Sequence, residues 1–116
     1  MDARGMVESS MIVYCDANPK MLALVSELGQ TLVEVFDSPM TNNEAEYRVV
    51  IRALEAYPEV TEIRTDSQLV VEQLNHRWHI KEDRLRELAT RFWSHNSNAR
   101  VVWVPRKQNL AGKALK

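Results

Sequence analysis

Three carboxylates stand where segments of regular structure begin or end, and they are the residues of this sequence best placed to do chemistry. Asp16 follows the apolar run 11–15, Asp66 follows the short run 62–65, and Glu46 lies near the start of a helical pattern. The carboxyl ends of adjacent parallel strands meet at one edge of a sheet, so we expect Asp16 and Asp66 to converge there. Carboxylates so close would repel each other unless divalent cations lay among them, and oxygen-only ligation suits Mg²⁺ or Mn²⁺.

Each of these acids also has an ordinary structural interpretation. Asp16 could start a turn at the breaker that follows it, and Asp66 could cap a helix. Glu46 shares the apolar side of its helical pattern with Val50 and Ala53, and it could reach out to solvent or to an arginine. An ionised carboxylate that faces a core is costly without a cation. Convergence of all three acids on one sheet edge therefore favours the metal-binding interpretation.

The elements that would position these acids follow from the hydrophobic pattern. Short apolar or β-branched runs between breakers predict strands at 11–15, 21–25, 31–35, 62–65 and 100–104. Helical spacing predicts helices at 41–57, 67–76 and 82–95. A capping box from Thr41 to Glu44 opens the first helix, and Ser67 can cap the second. The order β-β-β-α-β-α-α-β predicts an α/β fold with a five-stranded mixed sheet flanked by helices.

Domain organisation and composition limit the class of protein. We expect residues 1–10 to form a flexible leader and residues 11–116 a single domain whose C-terminal helix is short or absent. The sequence has no apolar run long enough to cross a membrane, so no membrane partner is expected. Cys15 is the only cysteine, which favours a reducing, cytoplasmic location. The net charge of −1 argues mildly against nucleic acid, although residues 76–86 are locally basic.

Four motifs resemble the ribonuclease H family in their order and spacing, from residue 11 to the C-terminal end. They are Tyr14-Cys15-Asp16, Thr41-Asn42-Asn43-Glu44-Ala45-Glu46-Tyr47, Thr65-Asp66-Ser67 and Trp103-Val104-Pro105-Arg106. The Val-Pro-Arg sequence is similar to the branch of the family that lacks a flexible His loop. The resemblance implies a ribonuclease HI-type fold. It also implies an endonuclease that cuts the RNA strand of RNA–DNA hybrids and leaves 5′-phosphate and 3′-hydroxyl ends.

The resemblance further implies roles for individual residues. Asp16, Glu46 and Asp66 would be catalytic and would hold two Mg²⁺ or Mn²⁺ ions, one for the attacking water and one for the leaving oxygen. No organic cofactor is implied, and we expect a monomer. The residues implied to contact the hybrid are Thr41, Asn42, Asn43, Ser67, Trp78 and Arg106. Helix capping is an alternative role for the two asparagines, and a hydrophobic lid over the second helix is an alternative for Trp78.

Two departures from the family pattern concern the loop after the first strand and the C-terminal end. The loop, residues 16–20, has no glycine, which should alter the approach of the backbone to RNA. The family has a fourth carboxylate near the C-terminal end, where this chain has Gly112 and Lys113. We expect Asn109 to offer its amide oxygen to the metal instead. The missing acid bears on turnover and metal preference more than on binding.

Three other functions stay open on the sequence. The first is a catalytically weakened or inactive module that binds RNA–DNA hybrids. The second is a protein-interaction domain with a nuclease fold, and the third is a nuclease of the integrase or resolvase kind. The Thr-Asn-Asn-x-Ala-Glu motif is not the signature of integrases or resolvases. Three intact acids favour the enzyme, because a pure binder has no reason to keep unpaired acids beside a phosphate.

Overall fold

The computed structural model describes residues 10–115. The predicted leader therefore lies outside the described residues, except for Ser10, which is exposed. The strands are β1 (Ile12–Ala17), β2 (Met21–Ser26), β3 (Thr31–Val35), β4 (Glu62–Thr65) and β5 (Arg100–Trp103). The α-helices are α1 (Asn42–Ala56), α2 (Gln68–Leu74) and α3 (Asp83–Ser94). Each predicted strand and helix is present in the predicted order, with ends that shift by a residue or two.

The five strands form one mixed sheet in the order β3-β2-β1-β4-β5, which confirms the predicted fold class. The first three strands make an antiparallel meander, whereas β4 runs parallel to β1 and β5 runs parallel to β4. In the parallel pair of β1 and β4, Cys15 lies opposite Thr65. Asp16 and Asp66 are the next residues along, so the sheet register alone brings both acids to the same edge.

Helix α1 carries its apolar side against the sheet and presents Glu46 near its N-terminal end. Thr41 is the N-cap, and the capping box with Glu44 is complete. Tyr47 and Val50 are fully buried, as the helical spacing predicts. The hydroxyl of Tyr47 donates to Oε1 of the buried Gln73 at 2.7 Å, which ties α1 to α2. This packing fixes the position of Glu46 relative to the carboxyl ends of β1 and β4.

The two faces of β1 have different neighbours. Cys15 is fully buried, and its Sγ donates to the carbonyl of Val49 in α1, so Cys15 faces the helices. Because side chains alternate along a strand, the neighbouring Asp16 points away from that core. The C-terminal segment, residues 106–115, covers this second side, and its last part packs against β1 and β2.

The C-terminal segment consists of two short 3₁₀ helices. They are Arg106–Gln108 and Leu110–Leu115. The sequence predicts a C-terminal helix that is short or absent, and the described residues there form these two short 3₁₀ helices. Among residues 10–115, no helix combines the length and the apolar character needed to cross a membrane.

Candidate active site

The structure brings the three acids of the sequence together at one edge of the sheet. Asp16 comes from the end of β1, Glu46 from α1, and Asp66 from the residue after β4. One carboxylate oxygen from each residue lies within 4.8 Å of the others. The open cleft around them is also lined by polar and basic residues. These are Asn42, Asn43, Ser67, Arg106, Lys107, Asn109 and Lys113.

Glu46 is the least favourably placed of these acids when no cation is bound. Its Oε1 is shielded from solvent and has no hydrogen-bond partner among the described residues. Burial, followed by the negative charges of Asp16 and Asp66, raises the pKa of Glu46 to about 8, and Arg106 opposes the rise. A buried oxygen without a donor costs about 1–3 kcal/mol, so the fold leaves a place here for a positively charged partner.

Asp16 is destabilised as an anion for related reasons. Burial is the largest cause that raises its pKa, and the charge of Asp66 adds to it. The backbone N–H of Ala17 donates to Asp16 Oδ1 at 2.9 Å, and this bond together with Arg106 limits the rise in pKa. Three carboxylates, one of them with an orphaned buried oxygen, fit a hard divalent cation with oxygen ligands.

Glu44 lies two residues from Glu46 and shows the opposite behaviour. Its carboxylate accepts from the backbone N–H of Thr41 at 3.1 Å and pairs with Arg84 Nε at 2.9 Å. The Thr41 bond and Arg84 hold the pKa of Glu44 below its usual value. Glu44 therefore stabilises the start of α1, whereas Glu46 is left for the cleft, as the sequence pattern predicts.

At the starts of α1 and α2, one residue caps each helix and neighbouring residues face the cleft. Thr41 Oγ1 accepts from the backbone N–H of Glu44 at 3.1 Å, so Thr41 caps α1. Asn42 and Asn43 are exposed, line the cleft, and make no side-chain hydrogen bond within residues 10–115. Helix capping therefore does not account for these two asparagines. At the second start Ser67 Oγ accepts from the N–H of Val70 at 3.3 Å, which leaves Asp66 free of a capping role.

The structure does not bring Trp78 into the acidic cleft. Trp78 is 46% exposed and lies in a separate groove with His76, Arg86 and Trp93. The aromatic ring that covers the end of α2 is Trp93, whose Nε1 donates to the carbonyl of Leu74 at 3.2 Å. Trp93 also stacks on His76, with ring centroids 4.6 Å apart. The lid expected as an alternative for Trp78 is thus supplied by Trp93.

The side-chain amide of Asn109 has hydrogen-bond partners on both its nitrogen and its oxygen. Its Nδ2 donates to the carbonyl of Cys15 at 2.8 Å and to Asp66 Oδ2 at 3.3 Å. Its Oδ1 accepts from the backbone N–H of Ala111 at 3.1 Å. In this structure the amide oxygen of Asn109 is hydrogen-bonded inside its own segment, and its expected role as a metal ligand stays a prediction. The nitrogen of the amide is the atom that faces the acids.

The C-terminal segment supplies cations to the cleft but no acid. Lys107 and Lys113 join Arg106 along its lining, and the sequence does not predict either lysine as a site residue. Gly112 lies directly beside Asp16. The sequence signal that could have identified these lysines is their position just after Val104-Pro105-Arg106. No periodic pattern marks them, because the segment is too irregular.

Comparison with known proteins places the whole domain in one family. Residues 13–115 match the reverse transcriptase-like family. Ribonuclease HI from Halobacterium salinarum is 38% identical over 105 residues, which cover 79% of this chain and 47% of that protein. The bifunctional protein Rv2228c from Mycobacterium tuberculosis is 40% identical over 82 residues, which cover 65% of this chain and 22% of that protein. The chain thus spans less than half the length of these curated relatives.

Solved structures show the same similarity over the whole fold. The crystal structure of RNase H1 from Halobacterium salinarum superposes with a TM-score of 0.76 at 28% identity, over 92% of this chain and 94% of that one. LC11-RNase H1, isolated from compost by a metagenomic approach, was solved in complex with an RNA/DNA hybrid. That complex superposes with a TM-score of 0.75 at 26% identity, over 92% of this chain and 100% of that one.

Proposed function

We propose that this chain, which belongs to the ribonuclease H family in its reverse transcriptase-like group, hydrolyses the RNA strand of RNA–DNA hybrids. The products would carry 5′-phosphate and 3′-hydroxyl ends. The observation that supports the proposal most directly is the convergence of Asp16, Glu46 and Asp66 within 4.8 Å at the open edge of the sheet. The complex of LC11-RNase H1 with an RNA/DNA hybrid gives the substrate class by similarity.

The proposed catalytic residues are the three acids, which would hold two Mg²⁺ or Mn²⁺ ions. Such ions supply Lewis acidity toward the scissile phosphate and the attacking water. The contribution of the chain is to hold the acids in place before any ion or substrate binds. The sheet register fixes Asp16 and Asp66, and the packing of α1 fixes Glu46. The orphaned oxygen of Glu46 is the part of the structure that calls for a cation.

Substrate binding is proposed for residues around the acids. Asn42 and Asn43 present amides that have no side-chain hydrogen bond within residues 10–115, and at the exposed start of α1 these amides can donate to and accept from the edges of a shallow groove of the hybrid. Thr41 and the N-terminal end of α1 suit a phosphate, because helix N-termini attract anions. Ser67 and Arg106 line the same cleft, and Arg106 adds positive charge next to the acids. The hybrid is therefore expected to cross the cleft.

Trp78 is proposed to contact the DNA strand away from the acids. It lies half-exposed in the neighbouring groove, together with Arg77 and Arg86. An exposed aromatic ring beside arginines suits a nucleic-acid strand, because the ring stacks while the cations meet phosphates. We also propose that the protein acts as a cytoplasmic monomer. Its only cysteine, Cys15, is buried as a free thiol, which suits a reducing compartment.

A second candidate function is binding of RNA–DNA hybrids without turnover. The observation that favours it is the composition of the C-terminal segment, where Gly112 and Lys113 occupy the region of the family's fourth acid. A cleft with three acids and added lysines would still bind phosphates. The two candidates differ in whether the three acids suffice for hydrolysis.

Cleavage of a labelled RNA–DNA hybrid with Mg²⁺ or with Mn²⁺ tests the proposal. Single-stranded RNA and double-stranded RNA are the substrate controls, and Asp66→Asn is the variant control. We expect cutting of the hybrid alone, and we expect Asp66→Asn to abolish it. Salt-sensitive hybrid binding without cutting in either metal would instead support the second candidate.

A further inference from the structure

Asn109 connects three parts of the candidate active site through one buried side chain. It is 4% exposed, and its amide contacts the end of β1, Asp66 and the C-terminal segment. We propose that Asn109 is a positioning residue, which orients the carboxylate of Asp66 toward the cleft and holds the C-terminal segment against Asp16. The inference rests on the cation binding in the proposed function, because positioning of Asp66 matters only if the acids bind divalent cations.

The hydrogen bonds of the amide determine its orientation. Both partners of Nδ2, the carbonyl of Cys15 and Asp66 Oδ2, can only accept, whereas the partner of Oδ1, the backbone N–H of Ala111, can only donate. The reversed amide would set its oxygen against a carbonyl and a carboxylate, and its NH₂ against an N–H. One orientation is therefore strongly preferred. A side chain with a single preferred orientation can in turn restrain the carboxylate to which it donates.

The backbone of Asn109 also sets the path of the C-terminal segment. Its N–H donates to the carbonyl of Arg106 at 3.1 Å, and its carbonyl accepts from the N–H of Gly112 at 3.0 Å. Asn109 thus links the two 3₁₀ helices, with Arg106 on one side and Gly112 on the other. Both neighbours line the cleft. Displacement of Asn109 would therefore move the charged side chain of Arg106 and the backbone of Gly112 beside Asp16 at the same time.

The positioning role matters here because the C-terminal segment brings no carboxylate of its own. The hydrogen bond that the segment makes to Asp66 comes from a neutral donor, so this contact orients the acid without adding a charge. Side chains that hydrogen-bond to a metal-binding residue and orient it typically contribute about 10- to 100-fold to metal affinity or activity. Asn109 satisfies the structural requirements for such a partner, because it is buried, hydrogen-bonded through both its nitrogen and its oxygen, and in contact with the side chain of a proposed metal ligand.

Asn75 provides a matched control in the same chain. Its Nδ2 also donates to two acceptors, the carbonyls of Val71 at 2.9 Å and Val101 at 3.0 Å, but both lie away from the acids. Asn109→Ala and Asn75→Ala thus remove the same kind of side chain and the same number of donated hydrogen bonds. The comparison separates loss of general stability from loss of positioning.

The experiment compares both variants with the wild-type protein in Mn²⁺ affinity, in kcat and KM for a hybrid, and in thermal stability. We expect both variants to lose stability. We expect only Asn109→Ala to weaken Mn²⁺ affinity or lower kcat by about 10- to 100-fold, at a temperature where all three proteins are folded, with a smaller change in KM. Equal Mn²⁺ affinity and kcat in Asn109→Ala and Asn75→Ala would overturn the proposal.

Asn109→Asp gives a second test that keeps the shape of the side chain. The aspartate retains an oxygen for the N–H of Ala111 but sets another oxygen against Cys15 and Asp66, where the amide had donated. We expect kcat to fall by about tenfold or more, and unchanged or higher activity would contradict a role for the donor. If the wild-type protein cuts no hybrid, the proposed function fails, while the Mn²⁺ affinities of Asn109→Ala and Asn75→Ala still decide the positioning role.

Discussion

Gly112 lies so close to Asp16 that a Cβ atom at position 112 would stand 3.4 Å from Asp16 Oδ2. This is van der Waals contact without severe overlap, so a side chain at position 112 would reach the acids directly. The C-terminal segment therefore already runs along the site where a fourth carboxylate could act. What the chain lacks at this point is the acid, not the backbone path that would carry one.

Gly112→Asp is predicted to increase divalent-cation binding. The new carboxylate would join Asp16, Glu46 and Asp66, and added ligand charge tightens a site for a hard cation. We expect Mg²⁺ affinity to rise about tenfold and cleavage at limiting Mg²⁺ to rise with it. Titration of Mg²⁺ against cleavage rate and by calorimetry measures both quantities.

Gly112→Asn is the neutral control for this substitution. It adds nearly the same volume beside Asp16 without a charge, so it should leave Mg²⁺ affinity near the wild-type value. If Gly112→Asp and Gly112→Asn behave alike, charge at position 112 is not what limits cation binding. A gain confined to the aspartate would show that the missing acid limits the site.

The metal-free protein is predicted to lose stability as pH rises from about 4.5 to about 8. In the folded state burial and the neighbouring acids raise the pKa of Glu46 from 4.5 to about 8. Between these values the folded state holds a proton that the unfolded state has released, so the free energy of unfolding falls with rising pH. Asp16 acts in the same direction, because its pKa is also raised. Denaturant unfolding in EDTA across this range measures the slope.

Glu46→Gln and added Mn²⁺ are the two controls for the pH dependence. The glutamine cannot ionise, so its metal-free stability should vary less between pH 5 and pH 8 than that of the wild-type protein. Mn²⁺ should stabilise the wild-type protein most at the upper end, where the largest fraction of Glu46 is ionised, and should stabilise Glu46→Gln far less. An equal slope in both proteins without metal would rule out Glu46 as its source.

The sequence predicts the acids well and the polar support around them poorly, for a physical reason. Asp16 and Asp66 end strands whose apolar runs are visible in the sequence, and a parallel register then brings them together. Glu46 is predicted from its spacing to buried residues on one helix. Asn109, in contrast, bonds to the carbonyl of Cys15, 94 positions earlier in the chain. No local pattern determines which end of an amide meets a partner so distant in sequence.

Thr41→Ala is predicted to destabilise the fold by about 1 kcal/mol, the usual cost of losing an N-cap. Thr41 Oγ1 accepts from the N–H of Glu44, and the return bond from the Thr41 N–H completes the box. Thr41→Ser keeps the hydroxyl and should retain most of the stability. Urea denaturation of the three proteins measures the difference. Equal losses in Thr41→Ala and Thr41→Ser would mean that the methyl group, not the cap, contributes the stability.

Substitutions of the two tryptophans in the α2–α3 region are predicted to affect different properties, namely hybrid binding for Trp78 and stability for Trp93. Trp78→Ala removes a half-exposed ring and should raise KM for the hybrid by about tenfold, the effect of one lost stacking contact, with little change in stability. Trp93→Ala removes the ring that stacks on His76 and donates to Leu74, so it should lower the thermal unfolding temperature. Steady-state kinetics and thermal unfolding of both variants distinguish the two roles. An unchanged KM in Trp78→Ala, at several salt concentrations, would place the path of the DNA strand elsewhere on the surface.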